Sequence, residues 1–255
     1  MNSDAIINIG STHAICQDYA IARNDYVILS DGCSSSPDTD IGARLLVRAL
    51  DQTLRTPTTH DIAALHADAA RTALTWANML ALPPQSVDAT LLSAHVSNYD
   101  LIIACSGDGV IILETRSGEL DIHPISSPSG YPFYPSYLHQ PDRLSEMIAH
   151  NRCTETIVFK FNVADYKYAA IASDGLTTFF QTQPTANGKH VEPVSLNEVL
   201  AELWSFKTSH GAFVERRLKR FKKDTHWQHA DDLALAVIHL GDDHVRQDSQ
   251  SVSAS

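Results

Sequence analysis

Two stretches decide the fold: Tyr26-Val27-Ile28-Leu29-Ser30-Asp31-Gly32 and Tyr168-Ala169-Ala170-Ile171-Ala172-Ser173-Asp174-Gly175. Each is a compact apolar run of strand length, which reads as a buried β-strand, and each ends in Ser-Asp-Gly. A third apolar run, Leu101 to Cys105, leads into Ser106-Gly107-Asp108-Gly109, and Asp231-Asp232 opens the run Leu233 to Leu240. Asp-Gly is a favoured hairpin turn. That reading suits Asp108-Gly109, because Val110 to Leu113 follows at once as a strand. It suits the other two poorly: Asp31-Gly32 opens a polar loop, and Asp174-Gly175 precedes the helix-like Leu176 to Phe180.

Outward from these runs, the remaining segments take definite forms. Ala5 to Ile9 alternates weakly, as an edge strand does. The apolar residues Ile41, Leu45, Leu46, Ala49 and Leu50 recur at helical spacing, predicting a helix over 41–54. A second, alanine-rich helix is expected from Asp61 to about Leu80, stopped before Pro83-Pro84. Strands are expected over Ala89 to Val96 and Leu101 to Cys105, forming with Val110 to Leu113 an antiparallel meander. Residues 117–140, rich in Pro, Ser and Tyr, read as an ordered surface loop. Beyond it come a short helix over 143–150, a strand over 156–163, helices over 196–206 and 211–222, and the strand 233–240.

Hairpin runs of strands with helices gathered between them indicate an α+β fold. One domain is expected over 1–241, followed by a polar, flexible tail over 242–255.

Bulk properties narrow the functional classes. Thirty acidic side chains against 19 basic ones leave a net charge of -11, so nucleic acid is not the expected partner, because its binding needs a positive surface. No apolar run approaches a membrane span and no signal peptide is evident. Cys16, Cys33, Cys105 and Cys153 form no CxxC pair, so the expected compartment is the cytoplasm. Ser34, Ser35 and Ser36 lack the glycine-elbow context of a nucleophilic serine. His226, His229 and His239 lack zinc spacing with cysteine. The basic stretch Glu215 to Lys223 reads as the solvated face of a helix whose apolar stripe is Phe213, Leu218 and Phe221.

An aspartate at the end of a buried strand holds its carboxylate rigidly at the rim of the sheet. Several together repel one another until hard cations such as Mg²⁺ or Mn²⁺, which prefer oxygen ligands, neutralise them.

The motifs occur in the order Cys16-Gln17-Asp18, Asp31-Gly32, Asp88-Ala89-Thr90, Gly107-Asp108-Gly109, Asp174-Gly175 and Asp231-Asp232. In order and spacing the chain resembles the metal-dependent protein phosphatases (PPM, the type-2C serine/threonine phosphatases), especially short bacterial members. The resemblance implies an antiparallel β-sandwich flanked by helices on both faces, a four-layer αββα arrangement with a binuclear Mn²⁺ or Mg²⁺ site at one end. By resemblance, Asp31 would bridge the two cations and the Gly32 carbonyl would bind one. Asp174 and Asp231 would hold the other, Asp18 with position 17 would support the second, and Asp108 matches a third, weaker site. The implied reaction is in-line attack on phosphorus by a water activated between the cations, without a phosphoenzyme. The implied partner is a phosphorylated protein, and the protein is expected to act as a monomer.

Three positions depart from the family pattern. His13 stands where an arginine usually grips the substrate phosphate, Gln17 where many members have Glu, and Cys33 where His or Met is frequent. The segment after Leu113 also lacks the usual flap signature. These departures keep two other readings open: a phosphatase-like binding protein without catalysis, and a phosphatase for small phosphate esters.

Overall fold

The computed structural model describes every residue except 58, 60, 127–131, 151, 153, 186–187, 209–210 and 242–255. The expected tail, Cys153 and part of the loop expected over 117–140 lie outside the described residues.

Two five-stranded antiparallel sheets form the centre. In the first the order is β1 (Asn2–Asn8), β13 (Leu233–His239), β9 (Tyr166–Ala172), β6 (Gly109–Thr115) and β7 (Leu120–Ile125). In the second it is β2 (Tyr19–Ala22), β3 (Tyr26–Ser30), β4 (Leu91–Ser97), β5 (Asp100–Ser106) and β8 (Ile157–Asn162). Their facing sides share one apolar layer, in which Val27, Leu29, Ile103 and Cys105 of the second sheet meet Ile111, Leu113, Ile171 and Ala236 of the first.

The opposite side of each sheet is covered by helices. Ile28, Leu91 and Ala104 of the second sheet pack with α1 (Thr39–Arg55) and α2 (Ile62–Met79). Ile112, Ala170 and Val237 of the first pack with α4 (Leu196–Leu203) and α5 (Phe213–Thr225). Successive residues of β3 therefore enter different cores: Val27 and Leu29 face the other sheet while Ile28 faces the helices. A strand covered on both sides must be apolar throughout, which is why Tyr26 to Ser30 shows no alternation.

Local chemistry sets the helix ends and faces. The Asp61 side chain caps α2 by accepting from the Ala63 and Ala64 amides, and Ser195 with Glu198 forms a capping box at α4. The small residues Ala69, Ala70, Ala73 and Ala77 are the buried face of α2. In α5 the buried residues are Phe213, Val214, Leu218 and Phe221.

Four local expectations are corrected. The predicted meander divides, because β4 and β5 pair in one sheet while β6 belongs to the other. Gly107 and Gly109 carry φ values of 109° and 146°, open to glycine alone, and let the chain cross between sheets in three residues. The helix-like Leu176 to Phe180 forms one 3₁₀ turn, Asp174–Thr177, and then enters β10 (Phe179–Thr185), which pairs with β11 (Gly188–Pro193) and β12 (Gln228–His229). β-Branched and aromatic residues suit that hairpin better than a helix. Residues 120–125 form strand β7 within the expected loop, and the four-residue β2 was too short for a periodic signal.

Candidate active site

All the strand-end aspartates lie at one end of the sandwich. β2 and β3 pair with Tyr19 opposite Ser30, so Asp18 and Asp31, one residue further out on each strand, become neighbours. Likewise Leu235 pairs with Ala172 and the Ser173 amide donates to the Ala234 carbonyl, which sets Asp174 beside Asp231-Asp232. Asp108 arrives on the crossover between the sheets. A cavity of about 210 Å³ opens there, its wall formed by Asp31, Gly32, Thr90, Asp108, Asp174 and Asp231. Asp18 lies beneath it, with no exposed surface.

Backbone and hydroxyl contacts hold these acids in place. The Asp31 amide donates to Thr90 Oγ1 (3.1 Å) and the Thr90 amide to the Asp31 carbonyl (2.8 Å). Ser30 Oγ donates to the Thr90 carbonyl at 2.5 Å. Thr178 Oγ1 accepts from the Asp231 amide at 3.2 Å. At Gly175 a Cβ would stand 1.8 Å from the Asp232 carbonyl oxygen, and at Gly32 one would stand 2.9 Å from that of Gln17. Both glycines are thus required by the close approach of neighbouring backbone.

The carboxyls disturb one another. Burial, opposed by hydrogen bonds from Ser173 and Asp31, pushes Asp18 up to about 7. Burial and the charges of Asp18 and Asp174 hold Asp31 well above the usual carboxylate range. Asp174 is raised by burial and by Asp231, and Asp108 reaches about 6 through burial and the charge of Asp174. Asp18 Oδ1 and Asp174 Oδ1 are buried with no hydrogen-bond partner among the described residues. A wall of oxygen donors, mutually repelling and partly unsatisfied, suits hard divalent cations in its chemistry. Among the described residues these side chains line the wall without closing into a group of three around one point.

The residues that depart from the family pattern have definite places. His13 Nδ1 lies 3.0 Å from Asp232 Oδ2, and its Nε2 lies 3.4 Å from Asp231 Oδ1; the Asp232 carboxylate raises its pKa. The Gln17 side chain donates to Thr39 Oγ1 at 2.6 Å. Cys33 lines the cavity rim within 3.1 Å of Ser35 Oγ.

Two supporting residues were given no role from sequence, although Asp232 stands in the doubled-aspartate motif. Asp232 accepts from the amides of Gly10 and Gln17, both at 2.7 Å, and so fastens the 10–17 loop beneath Asp231. Ser173 Oγ donates to Asp18 Oδ2 at 2.7 Å. Their only signals in the sequence were the serine preceding two of the three Asp-Gly pairs and the doubled aspartate.

Comparison with known proteins agrees with this arrangement. No curated relative matches the sequence. Among solved structures, the PPM Ser-Thr phosphatase MsPP from Mycobacterium smegmatis superposes with a TM-score of 0.62 at 15% identity, over 94% of this chain and 99% of that one. The serine/threonine phosphatase Stp1 from Staphylococcus aureus gives 0.59 at 14% identity, over 92% and 93%. The catalytic domain of the phosphatase PstP, in complex with two manganese ions, gives 0.59 at 18% identity, over 92% and 96%. At such identities the likeness is one of fold. The family assignment comes from the sequence itself: the profile of protein phosphatase 2C matches residues 10–221, a span that takes in every motif but the last aspartate pair, and the chain therefore belongs to the protein phosphatase 2C family.

Proposed function

We propose that this protein hydrolyses phosphoserine and phosphothreonine esters on proteins, with Mn²⁺ or Mg²⁺ held by Asp31, the Gly32 carbonyl, Asp18, Asp174 and Asp231, and with Asp108 at a third, weaker site. The observation that supports it most is the convergence of carboxylates from both sheets at one cavity, where Asp174 on its wall and Asp18 beneath it carry buried oxygens with no hydrogen-bond partner among the described residues. Bound divalent cations supply charge neutralisation and a water acidic enough to serve as nucleophile near neutral pH. The chain itself supplies rigidity. Asp31 is braced by Thr90, Asp231 by Thr178, and the 10–17 loop by Asp232. Preorganised groups of this kind cost little reorganisation as charge develops on the phosphoryl oxygens.

His13 remains the candidate for contact with the substrate phosphate. Both its nitrogens face carboxylates, so it reaches a phosphoryl oxygen by exchanging one of them. That engagement is also what favours the second reading, a phosphatase-like protein that binds a partner without turnover. A cytoplasmic monomer acting as one domain over 1–241 completes the proposal. Among the described residues no helix is long and apolar enough to cross a membrane.

Hydrolysis of phosphothreonine peptides, and of a small phosphate ester beside them, tests the reading. Turnover that requires Mn²⁺ or Mg²⁺ and disappears in Asp31→Asn and Asp174→Asn is the expected result. Well-folded protein without turnover on peptides or ester leaves the binding protein standing.

A further inference from the structure

A cavity of about 460 Å³ opens between α5 and the segment that follows α4, and none of its lining residues lines the acidic cavity. Among the described residues it carries Lys207, Arg216, Arg217 and Arg220 against a single carboxylate, Asp224, with Phe213 in its apolar part. The chain as a whole has a net charge of -11, so this positive excess is local. A further cavity, between the 3₁₀ turn Pro135–His139 and α3 (Pro141–Ala149), has no such excess: Arg143 and Arg152 are matched there in number by Asp88 and Glu146. Arg216, Arg217, Arg220 and Asp224 recur at helical spacing and share one side of α5, while Phe213, Val214, Leu218 and Phe221 are its buried residues.

Backbone carbonyls hold two of these arginines. Arg217 Nε donates to the Leu203 carbonyl at 2.9 Å and its Nη2 to that of Glu202, at the C-terminal end of α4. Arg216 donates to the carbonyls of Lys207 (3.3 Å) and Gly211. A carbonyl fixes a guanidinium without neutralising its charge. Arg220 donates from Nε to Asp224 at 3.3 Å. Both Nη atoms of Arg220, Nη1 of Arg217 and Nζ of Lys207 have no partner among the described residues. The paired Nη edge of Arg220 is thus open, and its geometry fits the two oxygens of a carboxylate. Cationic donors already fixed in place, and short of counter-charge, suit an anionic partner. A nucleic acid fits poorly, because its uniform charge would meet an otherwise acidic protein. A short acidic stretch of peptide can engage this face alone.

We propose that this side of α5, with Lys207, is a docking surface for a segment of a partner protein rich in Glu and Asp. The surface is separate from the acidic cavity, and its role does not depend on the phosphatase reading.

The test is fluorescence anisotropy of a labelled peptide of alternating Glu and Ser, and of its Gln counterpart, with the full chain at low ionic strength. EDTA is present so that no cation bridges the peptide to the aspartates. The Glu peptide is expected to bind about tenfold more tightly than the Gln peptide, and added salt should erase the difference. The double variant Lys207→Gln/Arg220→Gln removes two charges that support no backbone group and should weaken the Glu peptide about tenfold. Arg71→Gln, on α2 and lining neither cavity, should leave binding unchanged. Thermal melting checks each fold, and Arg220→Gln alone decides if the double variant melts early. Equal Kd values for the two peptides, or an equal loss in Arg71→Gln, overturns the proposal. So does displacement of the Glu peptide by an oligothymidylate of equal charge at equal concentration, which would make the face a general polyanion surface. Self-association of the wild type in sedimentation velocity, abolished in the double variant, would assign the face to a second copy of the chain and overturn it too.

Discussion

Ser173 Oγ donates to Asp18 Oδ2 at 2.7 Å and joins the two sheets directly beneath the acidic cavity. Ser173 follows β9 of one sheet and Asp18 precedes β2 of the other. The same hydroxyl accepts from the Ala234 amide at 2.8 Å. Both ends of the contact are buried, and Asp18 Oδ1 already has no partner among the described residues. Ser173→Ala removes the hydroxyl that donates to the other oxygen. The expected loss of stability is about 1–3 kcal/mol, the cost of leaving a buried acceptor unpaired, read from urea unfolding. Weaker Mn²⁺ stabilisation should accompany it; unchanged stability would mean that water replaces the hydroxyl.

Crowded carboxylates make the cation-free protein less stable than its fold allows. Asp31→Asn removes one charge from the group and should raise the melting temperature without metal by a few degrees. The same change should abolish the gain in melting temperature that millimolar Mn²⁺ gives the wild type. Melting curves with EDTA and with Mn²⁺ read both effects, and a variant still stabilised by Mn²⁺ to the wild-type extent would remove Asp31 from the set of ligands.

His66, which does not line the acidic cavity, provides a separate pH response. It is fully buried between Ser106 Oγ (2.9 Å) and Ser93 Oγ (2.8 Å), and burial lowers its pKa to about 3. The unfolded chain takes up this proton first as pH falls below the ordinary histidine value of about 6.5, so the contribution of neutral His66 is complete above that value and is lost progressively towards pH 3. Between pH 7.5 and pH 5 the expected loss is roughly 2 kcal/mol. In His66→Gln, which keeps a hydrogen-bonding side chain without titration, that part of the pH dependence should disappear from urea unfolding curves.

Asp51 ties α1 to the edge of the second sheet. Arg23 donates to both its oxygens (2.9 and 2.8 Å), Tyr26 Oη donates to Oδ1 (2.7 Å), and Arg55 donates to Oδ2 (2.7 Å). Asp51→Ala leaves the Arg23 guanidinium and a buried hydroxyl without their acceptor. Arg23 keeps partial access to water, so the expected cost is about 2–3 kcal/mol, below that of a fully buried pair. Thermal or urea unfolding measures it, and a loss under 1 kcal/mol would show that solvent satisfies both donors.

Asp232 should matter through position rather than contact with substrate. Asp232→Asn sets an amide NH₂ against the Gly10 or Gln17 amide, both of which now donate to the carboxylate. The 10–17 loop that carries His13 should loosen. The measurement is hydrogen exchange over residues 10–17, which should speed up while exchange in α5 stays unchanged.

The sequence by itself determined the strands that carry the acids, most of the helices and the family. Those features are written locally: an apolar run closed by Asp-Gly, or apolar residues at helical spacing, depends on residues a few positions apart. Tyr26 to Ser30 was legible in this way to the residue. Tertiary structure alone decided that Gly107-Asp108-Gly109 crosses between sheets instead of turning a hairpin, that Gln17 faces Thr39, that His13 faces two carboxylates, and that Asp232 and Ser173 brace the site. These outcomes rest on contacts between distant parts of the chain, 155 residues apart for Ser173 and Asp18 and 215 for Gln17 and Asp232. A side chain's direction there follows from which partner the packed sheets bring within hydrogen-bonding reach, and no local pattern encodes that partner.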